Sequence, residues 1–277
     1  MSRDCQVVAL TGATGRIGAH LLALLLSRAF RVQAISRNPP LAGLPEERVR
    51  WIRAELSLGW PEDADAPCLL SAGPLAELAE GFRRRPPQGL SRLIALSSTS
   101  IRFKQSSTDP REREQAERLL AAEQSLAATC RAIGAHLTLL RPTLIYGTAS
   151  EPRLGPLIAF ARITRILPLP WPAQGLRQPV HAEDLAALML ALLEHPREGI
   201  FEVGGGERLS VAEMIERMVR AETGSPLLAV PMPARWIESI FPRWRGPLSR
   251  LGQDQLPRPE PELEALGWRP RPFLGAR

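Results

Sequence analysis

Three closely spaced glycines constrain this chain more than any other feature. Residues 11–18 read Thr-Gly-Ala-Thr-Gly-Arg-Ile-Gly and follow the apolar run at residues 7–10. The run predicts a buried strand, and residues 19–29 predict a helix after the glycines. This order lets backbone amides approach a pyrophosphate closely, although a tight turn without a ligand is the alternative. We therefore expect a dinucleotide to bind the residues of this loop: Gly12, Ala13, Thr14, Gly15, Arg16, Ile17 and Gly18.

Strand and helix patterns alternate through the first two thirds of the chain, which predicts a parallel sheet with helices on both faces. The predicted strands are residues 6–10, 31–36, 49–53, 67–71, 93–97 and 136–141. A long helix is predicted from Pro110 to Ile133. Asp109 can cap its start, proline suits its first position, and Gly134 can end it.

The pattern changes after Gly147, where prolines become frequent around short helical pieces. A helix at 183–194, a strand at 200–203 and a helix at 211–223 are predicted beyond them. The fold class is therefore α/β, a Rossmann-type doubly wound parallel sheet with a small C-terminal lobe. Residues 1–150 form the dinucleotide-binding core in this prediction. Residues 151–277 form a substrate lobe, interleaved with the last Rossmann elements.

Composition indicates which class of protein and which cellular compartment to expect for this chain. Its 277 residues, 44% of them hydrophobic, suffice for a large core. The three widely spaced cysteines indicate reduced thiols, neither a disulfide framework nor a metal site, and hence a cytoplasmic protein. The first predicted strand begins at Gln6, which leaves no room for a signal peptide. No apolar stretch approaches the roughly 20 residues that span a bilayer, so no integral membrane segment is expected.

The distribution of the basic residues along the chain argues against nucleic acid as a partner. The formal net charge is +6, and Lys104 is the single lysine, so that all the other residues in the Lys+Arg total are arginines. These arginines are scattered, the run at residues 83–85 excepted, and aromatic residues make up only 5% of the chain. The segment from Trp236 to Trp244 is amphipathic. Core packing, a protein-partner surface and a peripheral membrane contact remain open for it.

Six motifs follow one another in the order found in a known superfamily. They lie at residues 11–18, 96–99, 140–147, 180–184, 201–206 and 264–270. Together they resemble the extended short-chain dehydrogenase/reductase superfamily, in its NAD-dependent epimerase/dehydratase group. The resemblance implies a seven-stranded Rossmann sheet with a small lobe, binding NAD(H) or NADP(H) and acting on a nucleotide sugar or another small carbonyl compound. It also implies a homodimer through the helix from Pro110 to Ile133.

The same resemblance implies further cofactor contacts. Ser71, Ala72 and Ser97 would line the cofactor cleft, and Glu55 would lie near the adenine. The nicotinamide would lie near the residues that follow the sixth strand: Pro142, Thr143 and Leu144.

The end of the second strand bears on the choice of cofactor. It reads Ile-Ser-Arg-Asn at residues 35–38, with no acid to bind a ribose 2′-hydroxyl. A guanidinium pairs with a 2′-phosphate, whereas a carboxylate would repel it. Arg37, with Arg16 as a second contact, therefore favours NADP(H) over NAD(H), although Arg37 alone could be a solvated loop residue.

The catalytic pattern of the superfamily is missing. Its members use a Tyr-x-x-x-Lys pair on the long helix, in which the lysine lowers the pKa of the phenol. This chain has one tyrosine, Tyr146, and one lysine, Lys104, which lies before it. Alignment puts Gln115 in the tyrosine position and Leu119 in the lysine position. A second register puts Asp109 and Arg113 there instead.

The remaining candidates leave the chemistry open. Thr99 matches the catalytic serine or threonine of the superfamily, or it caps a loop. Arg141 and Arg177 could bind an acidic substrate group or form structural ion pairs, and Lys104 could reach the cleft. We expect an NADP(H)-binding oxidoreductase or epimerase-like enzyme for a small carbonyl or sugar-type substrate, with a non-standard acid/base. The alternative is a non-catalytic NAD(P)(H)-binding scaffold or redox sensor that acts through a protein partner.

Overall fold

The computed structural model describes residues 6–39, 47–107, 109–147, 154–233, 236–237, 239 and 250–274. The chain divides into two compact units. The first unit comprises Met1–Pro142, Ala182–Val203 and Arg258–Arg269, and the second comprises Thr143–His181, Gly204–Pro257 and Pro270–Arg277. The chain thus returns to its first unit twice after leaving it.

A seven-stranded parallel sheet forms the centre of the first unit, which confirms the predicted Rossmann-type fold class. Its strands are β1 (Val7–Thr11), β2 (Arg31–Ser36), β3 (Val49–Arg53), β4 (Cys68–Ser71), β5 (Arg92–Leu96), β6 (His136–Pro142) and β11 (Gly199–Val203). They lie in the order β11-β6-β5-β4-β1-β2-β3. The order reverses between β1 and β4, and doubly wound sheets bind their ligands at such a switch, beyond the carboxyl ends of the strands.

Helices connect these strands. They are α1 (Arg16–Ser27), α2 (Leu75–Arg84), α3 (Ser100–Lys104), α4 (Pro110–Ile133), α6 (Ala182–Glu194) and the late α8 (Pro261–Glu264), with a short 3-10 helix at Leu56–Leu58. The predicted signals of α4 are confirmed. The Asp109 carboxylate accepts a hydrogen bond from the Arg111 amide at 2.9 Å, and Gly134 ends the helix at a φ of 74°. Buried side chains of α2 and α4, among them Phe82 and Leu126, share one apolar cluster with Leu69 of β4.

The second unit contains α5 (Gly155–Thr164) and α7 (Val211–Thr223) with three two-stranded sheets. The sheets pair β7 (Ile145–Tyr146) with β10 (Val180–His181), β9 (Leu176–Arg177) with β12 (Leu209–Ser210), and β8 (Ile166–Trp171) with β13 (Leu228–Pro233). The prediction of short helical pieces among the prolines is wrong for β8, which contains Pro168 and Pro170. A strand of a two-stranded sheet tolerates proline, because one of its edges makes no ladder hydrogen bonds.

The cysteines correct one expectation. Cys130 is free, and burial raises the pKa of its thiol to about 11. Cys68, at the start of β4, is disulfide-bonded, so the expectation of reduced thiols throughout is wrong. Cys5 lies outside the described residues.

No helix in the described ranges is both long and apolar enough to cross a membrane. Of the amphipathic segment from Trp236 to Trp244, Trp236 is exposed and Ile237 is buried. Ser239 donates a hydrogen bond to the Trp236 carbonyl at 2.8 Å. The other residues that define the segment, Arg235, Ile240, Phe241 and Trp244, lie outside the described residues.

Candidate functional site

The glycine loop follows β1. Two of its glycines are required because the surrounding backbone leaves no space for a Cβ atom. Gly12 has a φ of 73°, and a Cβ built on it would lie 2.6 Å from the Gly73 nitrogen. A Cβ on Gly18 would lie 1.9 Å from the Gly12 carbonyl oxygen. Gly15 donates its N–H to that same oxygen at 2.8 Å. Because no Cβ fits at Gly12 or Gly18, the loop depends on both glycines.

The N-terminus of α1 is suited to an anion. Gly15 is the N-cap and offers no side chain, and the first turn contains no acidic residue. A pyrophosphate could accept hydrogen bonds from the first amides of α1, and the partial positive charge of the helix end would favour it. Thr14 and Arg16 are exposed, Ala13 is buried and Ile17 is half-buried. The residues present therefore fit a dinucleotide.

The end of β4 borders the same loop. The Thr11 hydroxyl donates to the Ser71 Oγ at 2.8 Å, with both side chains buried. The Ala72 amide donates to the Thr11 carbonyl at 3.1 Å, which brings the backbone at Ala72 and Gly73 against Gly12. Of the two predicted cleft residues here, Ser71 is fully enclosed and Ala72 is half-buried at the loop.

Basic residues lie at the ends of β2 and β3. Arg37 is exposed just beyond β2, and the strand register places the exposed Arg53 of β3 beside Ser36. Residues 36–39 contain no acid. Glu55 is exposed, accepts a hydrogen bond from the Ser57 hydroxyl at 3.1 Å and lines a cleft with Arg53. This corner of the first unit could accept a phosphate.

A buried ion pair stands at the ends of β5 and β6. Glu123 of α4 is only 3% exposed and accepts hydrogen bonds from both donor nitrogens of the Arg141 fork, with the Nε bond at 2.9 Å. The Ser97 hydroxyl donates to the same carboxylate at 2.5 Å. The hydrogen bonds of Arg141 to Glu123 raise the pKa of the Arg141 guanidinium. Ser97 and Arg141, predicted to contact cofactor and substrate, are thus both bonded to a carboxylate within the first unit.

Sequence analysis missed Glu123. It lies between Ala122 and Leu126 on the buried side of α4. A carboxylate among buried apolar residues of a helix requires a buried partner, and this was the available signal.

Thr99 lies at the N-cap of α3 and is buried. Its hydroxyl donates to the Pro142 carbonyl at 3.1 Å, and its amide donates to the same oxygen at 3.0 Å. Thr99 therefore joins the ends of β5 and β6. Its hydroxyl proton points at backbone, and only its oxygen lone pairs remain for a ligand.

The residues of the two alignment registers on α4 make different contacts. Asp109 caps the helix, and Arg113 donates to the Ser107 carbonyl at 2.6 Å. Leu119 packs against the apolar cluster of the sheet. Gln115 is exposed, and its Oε1 accepts a hydrogen bond from the Lys104 ammonium at 2.8 Å. The single lysine of the chain thus contacts the residue that the first register aligns with the tyrosine.

The remaining predicted residues belong to the second unit. The Thr143 hydroxyl donates to the Gln178 carbonyl at 2.5 Å, and Leu144 is exposed. Arg177 donates to three carbonyls, those of Leu176, Gln253 and Arg250. Burial, followed by the charge of Arg250, lowers the pKa of Arg177 to about 10. Tyr146 is buried, and its hydroxyl donates to the Pro272 carbonyl at 3.1 Å.

Solved structures of known proteins have a fold similar to that of this chain. The UDP-glucose 4-epimerase of Thermus thermophilus, solved with NAD, is 19% identical, with a TM-score of 0.64. The superposition covers 96% of this chain and 94% of that enzyme. The chain therefore has the fold of that epimerase. A human epimerase family protein, solved with NADPH, gives a TM-score of 0.63 at 17% identity, covering 95% and 94% of the two chains.

Sequence comparison finds two similar proteins, an epimerase and a reductase, each less than 30% identical to this chain. No model of a known protein family matches the chain. The UDP-glucose 4-epimerase of Vibrio cholerae is 26% identical over 156 residues, which are 54% of this chain but only 46% of that enzyme. The ceramide reductase of Caulobacter vibrioides is 27% identical over 218 residues, 75% of this chain and 68% of that enzyme.

Proposed function

We propose that the protein binds NADP(H) and acts as an oxidoreductase or epimerase-like enzyme on a small carbonyl or sugar-type substrate. The observation that carries this proposal is a loop with no room for a Cβ at Gly12 or Gly18, which leads into a helix N-terminus without a side-chain cap. The names of the relatives, two epimerases and a reductase, support an oxidoreductase-type activity.

Arg37 supports NADP(H) over NAD(H). It is exposed at the end of β2, in a segment without acids, and a guanidinium can pair with a 2′-phosphate through two hydrogen bonds. The human relative solved with NADPH agrees with this choice, whereas the Thermus enzyme was solved with NAD. The residue at the end of β2 decides between the two nucleotides in this proposal.

The remaining roles follow from chemistry. A bound nicotinamide would supply or accept the hydride, since that chemistry belongs to the cofactor. The chain's own residues would bind the pyrophosphate through the α1 amides, pair the 2′-phosphate with Arg37 and orient the substrate oxygen at Thr99. Loss of a general acid slows such reactions by ~10²–10⁴-fold without preventing them, so the missing phenol is compatible with an enzyme.

Titration calorimetry with NADPH and NADH tests the proposal. We expect NADPH to bind more tightly, and Arg37→Ala to weaken NADPH by roughly 10- to 100-fold, because hydrogen bonds to charged groups contribute that much. Binding of NADH should change little. Arg31→Ala, which removes an exposed arginine from the other end of β2, is the matched control.

Two results would count against it. No binding of either nucleotide at millimolar concentration would remove the proposed function altogether. Equal affinity for NADPH and NADH, unchanged in the Arg37 variant, would remove only the cofactor preference.

A non-catalytic scaffold or redox sensor is the second candidate. The packing of Leu119 into the apolar cluster favours it, because the usual lysine position then holds no charge. This candidate requires a protein partner that distinguishes the NADPH-bound from the NADP⁺-bound form, and a pull-down with each form tests it. A homodimer through α4 also remains a proposal.

A further inference from the structure

Large apolar side chains lie exposed at one corner of the second unit. They are Phe160 and Ile163 of α5, Ile166 at the start of β8 and Leu228 at the start of β13. We propose that these four residues, the α5–β8 corner, dock the protein on the surface of an anionic lipid bilayer. Such docking is separate from the proposed function and needs no bound cofactor.

Hydrogen bonds connect the end of α5 to both strands. The Thr164 hydroxyl donates to the Phe160 carbonyl at 2.9 Å and accepts from the Ile166 amide at 3.2 Å. Leu228 is paired with Ile166 in the parallel ladder, and its amide donates to the Arg165 carbonyl at 2.9 Å. The apolar residues of the α5–β8 corner are therefore held close together by the backbone that carries them.

The α5–β8 corner projects into solvent. Ile163 is 84% exposed and Leu228 is 66% exposed, so little of either side chain is in contact with protein. Phe160 lies three residues before Ile163 and is its neighbour on the helix surface. A protein partner gains most from apolar side chains that fill closely packed pockets. A bilayer, in contrast, accepts projecting apolar side chains at the boundary between its headgroups and acyl chains.

Positive charge is in excess around these apolar residues. Arg162 donates to the Glu222 carbonyl at 2.8 Å, and Arg165 is exposed. Among the described residues, neither guanidinium is paired with a carboxylate. Arg220, which donates to the nearby Leu227 carbonyl, is paired with Glu216 at 2.8 Å. The three arginines outnumber the two glutamates, and this charge is complementary to that of an anionic membrane.

Arg165 occupies a backbone conformation that favours glycine. Its φ is 61°, whereas α4 and α7 end at Gly134 and Gly224 in the same left-handed conformation. An arginine there is strained where a glycine would not be. Strained residues of this kind cluster at functional sites. The Arg165 guanidinium, held beside the apolar residues, can pair with a lipid phosphate through two hydrogen bonds.

The edge of the adjacent sheet disfavours a protein strand as the partner. Because the Leu228 amide faces β8, the amides of alternate residues along β13 face away from it, at positions 229, 231 and 233. Positions 231 and 233 are prolines, which have no amide hydrogen to donate. Prolines at a sheet edge hinder pairing with another chain. A bilayer requires no strand pairing, and it is the partner that fits both the charge and the edge.

Sedimentation of the whole chain with lipid vesicles tests the inference. One set of vesicles contains equal parts of phosphatidylcholine and phosphatidylglycerol, and the other contains phosphatidylcholine alone. At about 1 mM lipid the assay detects binding roughly ten times weaker than that of a single myristoyl chain, whose association constant is ~10⁴ M⁻¹. We expect binding to the anionic vesicles that weakens as salt is added, and weaker binding to the uncharged vesicles.

Ile163→Ser tests the apolar contact. We expect it to weaken binding to the anionic vesicles by at least roughly 10-fold, because burial of an isoleucine side chain contributes that much. Leu58→Ser, at an exposed leucine of the first unit, is the matched control and should bind as the unmodified chain does. Both side chains are exposed, so both variants should fold, and circular dichroism checks this.

Arg165→Gln tests the charge. Each arginine near an anionic membrane strengthens binding by roughly 5-fold, so the variant should lose about that factor and part of the salt dependence. Arg31→Gln makes the same change in net charge at an exposed residue of the first unit, and it should have little effect.

Three results would overturn the inference. The first is no binding to the anionic vesicles. The second is binding that Ile163→Ser and Arg165→Gln both leave unchanged, which would place the contact elsewhere on the chain. The third is self-association in the ultracentrifuge that Ile163→Ser abolishes, without vesicle binding, which would make the α5–β8 corner an interface between two copies. None of these results concerns nucleotide binding, so the proposed function would stand.

Discussion

At the scale of single residues, the pair of Glu123 and Arg141 is the most consequential contact described. Glu123 is 3% exposed and the Arg141 side chain 18% exposed, and two hydrogen bonds join them. Removal of one charge from a buried pair leaves the other uncompensated, which costs about 3 kcal/mol. We therefore expect Glu123→Gln to lower the free energy of unfolding by about this amount in a urea titration.

The matched control is an exposed pair on the same helix. Glu114 and Arg118 are joined at 2.6 Å, with both side chains mostly exposed. Glu114→Gln should change the free energy of unfolding by less than about 0.5 kcal/mol. A similarly small effect for Glu123→Gln would show that another group balances the buried charge of Arg141. Arg141 would then again be a candidate for binding substrate.

At the scale of elements, α7 begins with a reciprocal cap. The Ser210 hydroxyl accepts from the Glu213 amide at 3.2 Å, and the Glu213 carboxylate accepts from the Ser210 amide at 2.8 Å. Hydrogen bonds from the Ser210 amide and then its hydroxyl lower the pKa of Glu213 below its ordinary 4.5. Loss of such a cap costs about 1 kcal/mol, so Ser210→Ala should destabilise the protein to this extent at neutral pH.

The effect of Ser210→Ala should depend on pH with a fixed sign. An acid whose pKa is lowered by folding contributes stability above its unfolded pKa, and this contribution is lost as the pH falls through the folded pKa. The penalty should therefore be complete at neutral pH and shrink below pH 4.5, when measured by urea unfolding. Ser106→Ala, at an exposed position, should show no such trend. A penalty independent of pH would contradict the role of ionised Glu213.

Elements marked by local signals were predictable from sequence. Asp109, Pro110 and Gly134 act within their own turn of chain, and α4 has the predicted bounds. β8 was not predictable, because its strand conformation depends on pairing with β13, more than fifty residues later. The bonds of Glu123 to Arg141 and of Lys104 to Gln115 likewise join separate elements, so local patterns did not reveal them.

At the scale of the whole molecule, the glycine loop shows how far sequence reasoning reaches. Motif order was enough to predict the sheet and the position of the loop, since each motif belongs to one strand end. It was not enough to assign Arg177, whose guanidinium is enclosed by carbonyls of distant residues. The position of a site that the fold's topology determines was therefore predictable from sequence. The role of a side chain that depends on contacts with distant residues was not.

The net charge of +6 leads to a last prediction, on nucleic acid. In the run at residues 83–85, Arg83 and Arg84 both donate to Glu80, and Arg85 donates to Glu62. The bonds from Arg83 and Arg84 lower the pKa of Glu80 to about 2, so it stays ionised at ordinary pH. We expect duplex DNA and single-stranded RNA to bind more weakly than ~10⁻⁴ M at physiological salt, because the run has few charges left for phosphates.

Fluorescence anisotropy with labelled oligonucleotides measures this binding. Glu80→Gln should strengthen it by releasing Arg83 and Arg84, and should steepen its dependence on salt. Glu114→Gln raises the net charge by the same one unit but leaves the bonds of Arg83 and Arg84 intact. It therefore shows how much of any change in binding comes from net charge alone. Micromolar binding by the unmodified chain, unaffected by Glu80→Gln, would show that scattered arginines form a nucleic-acid surface away from this run.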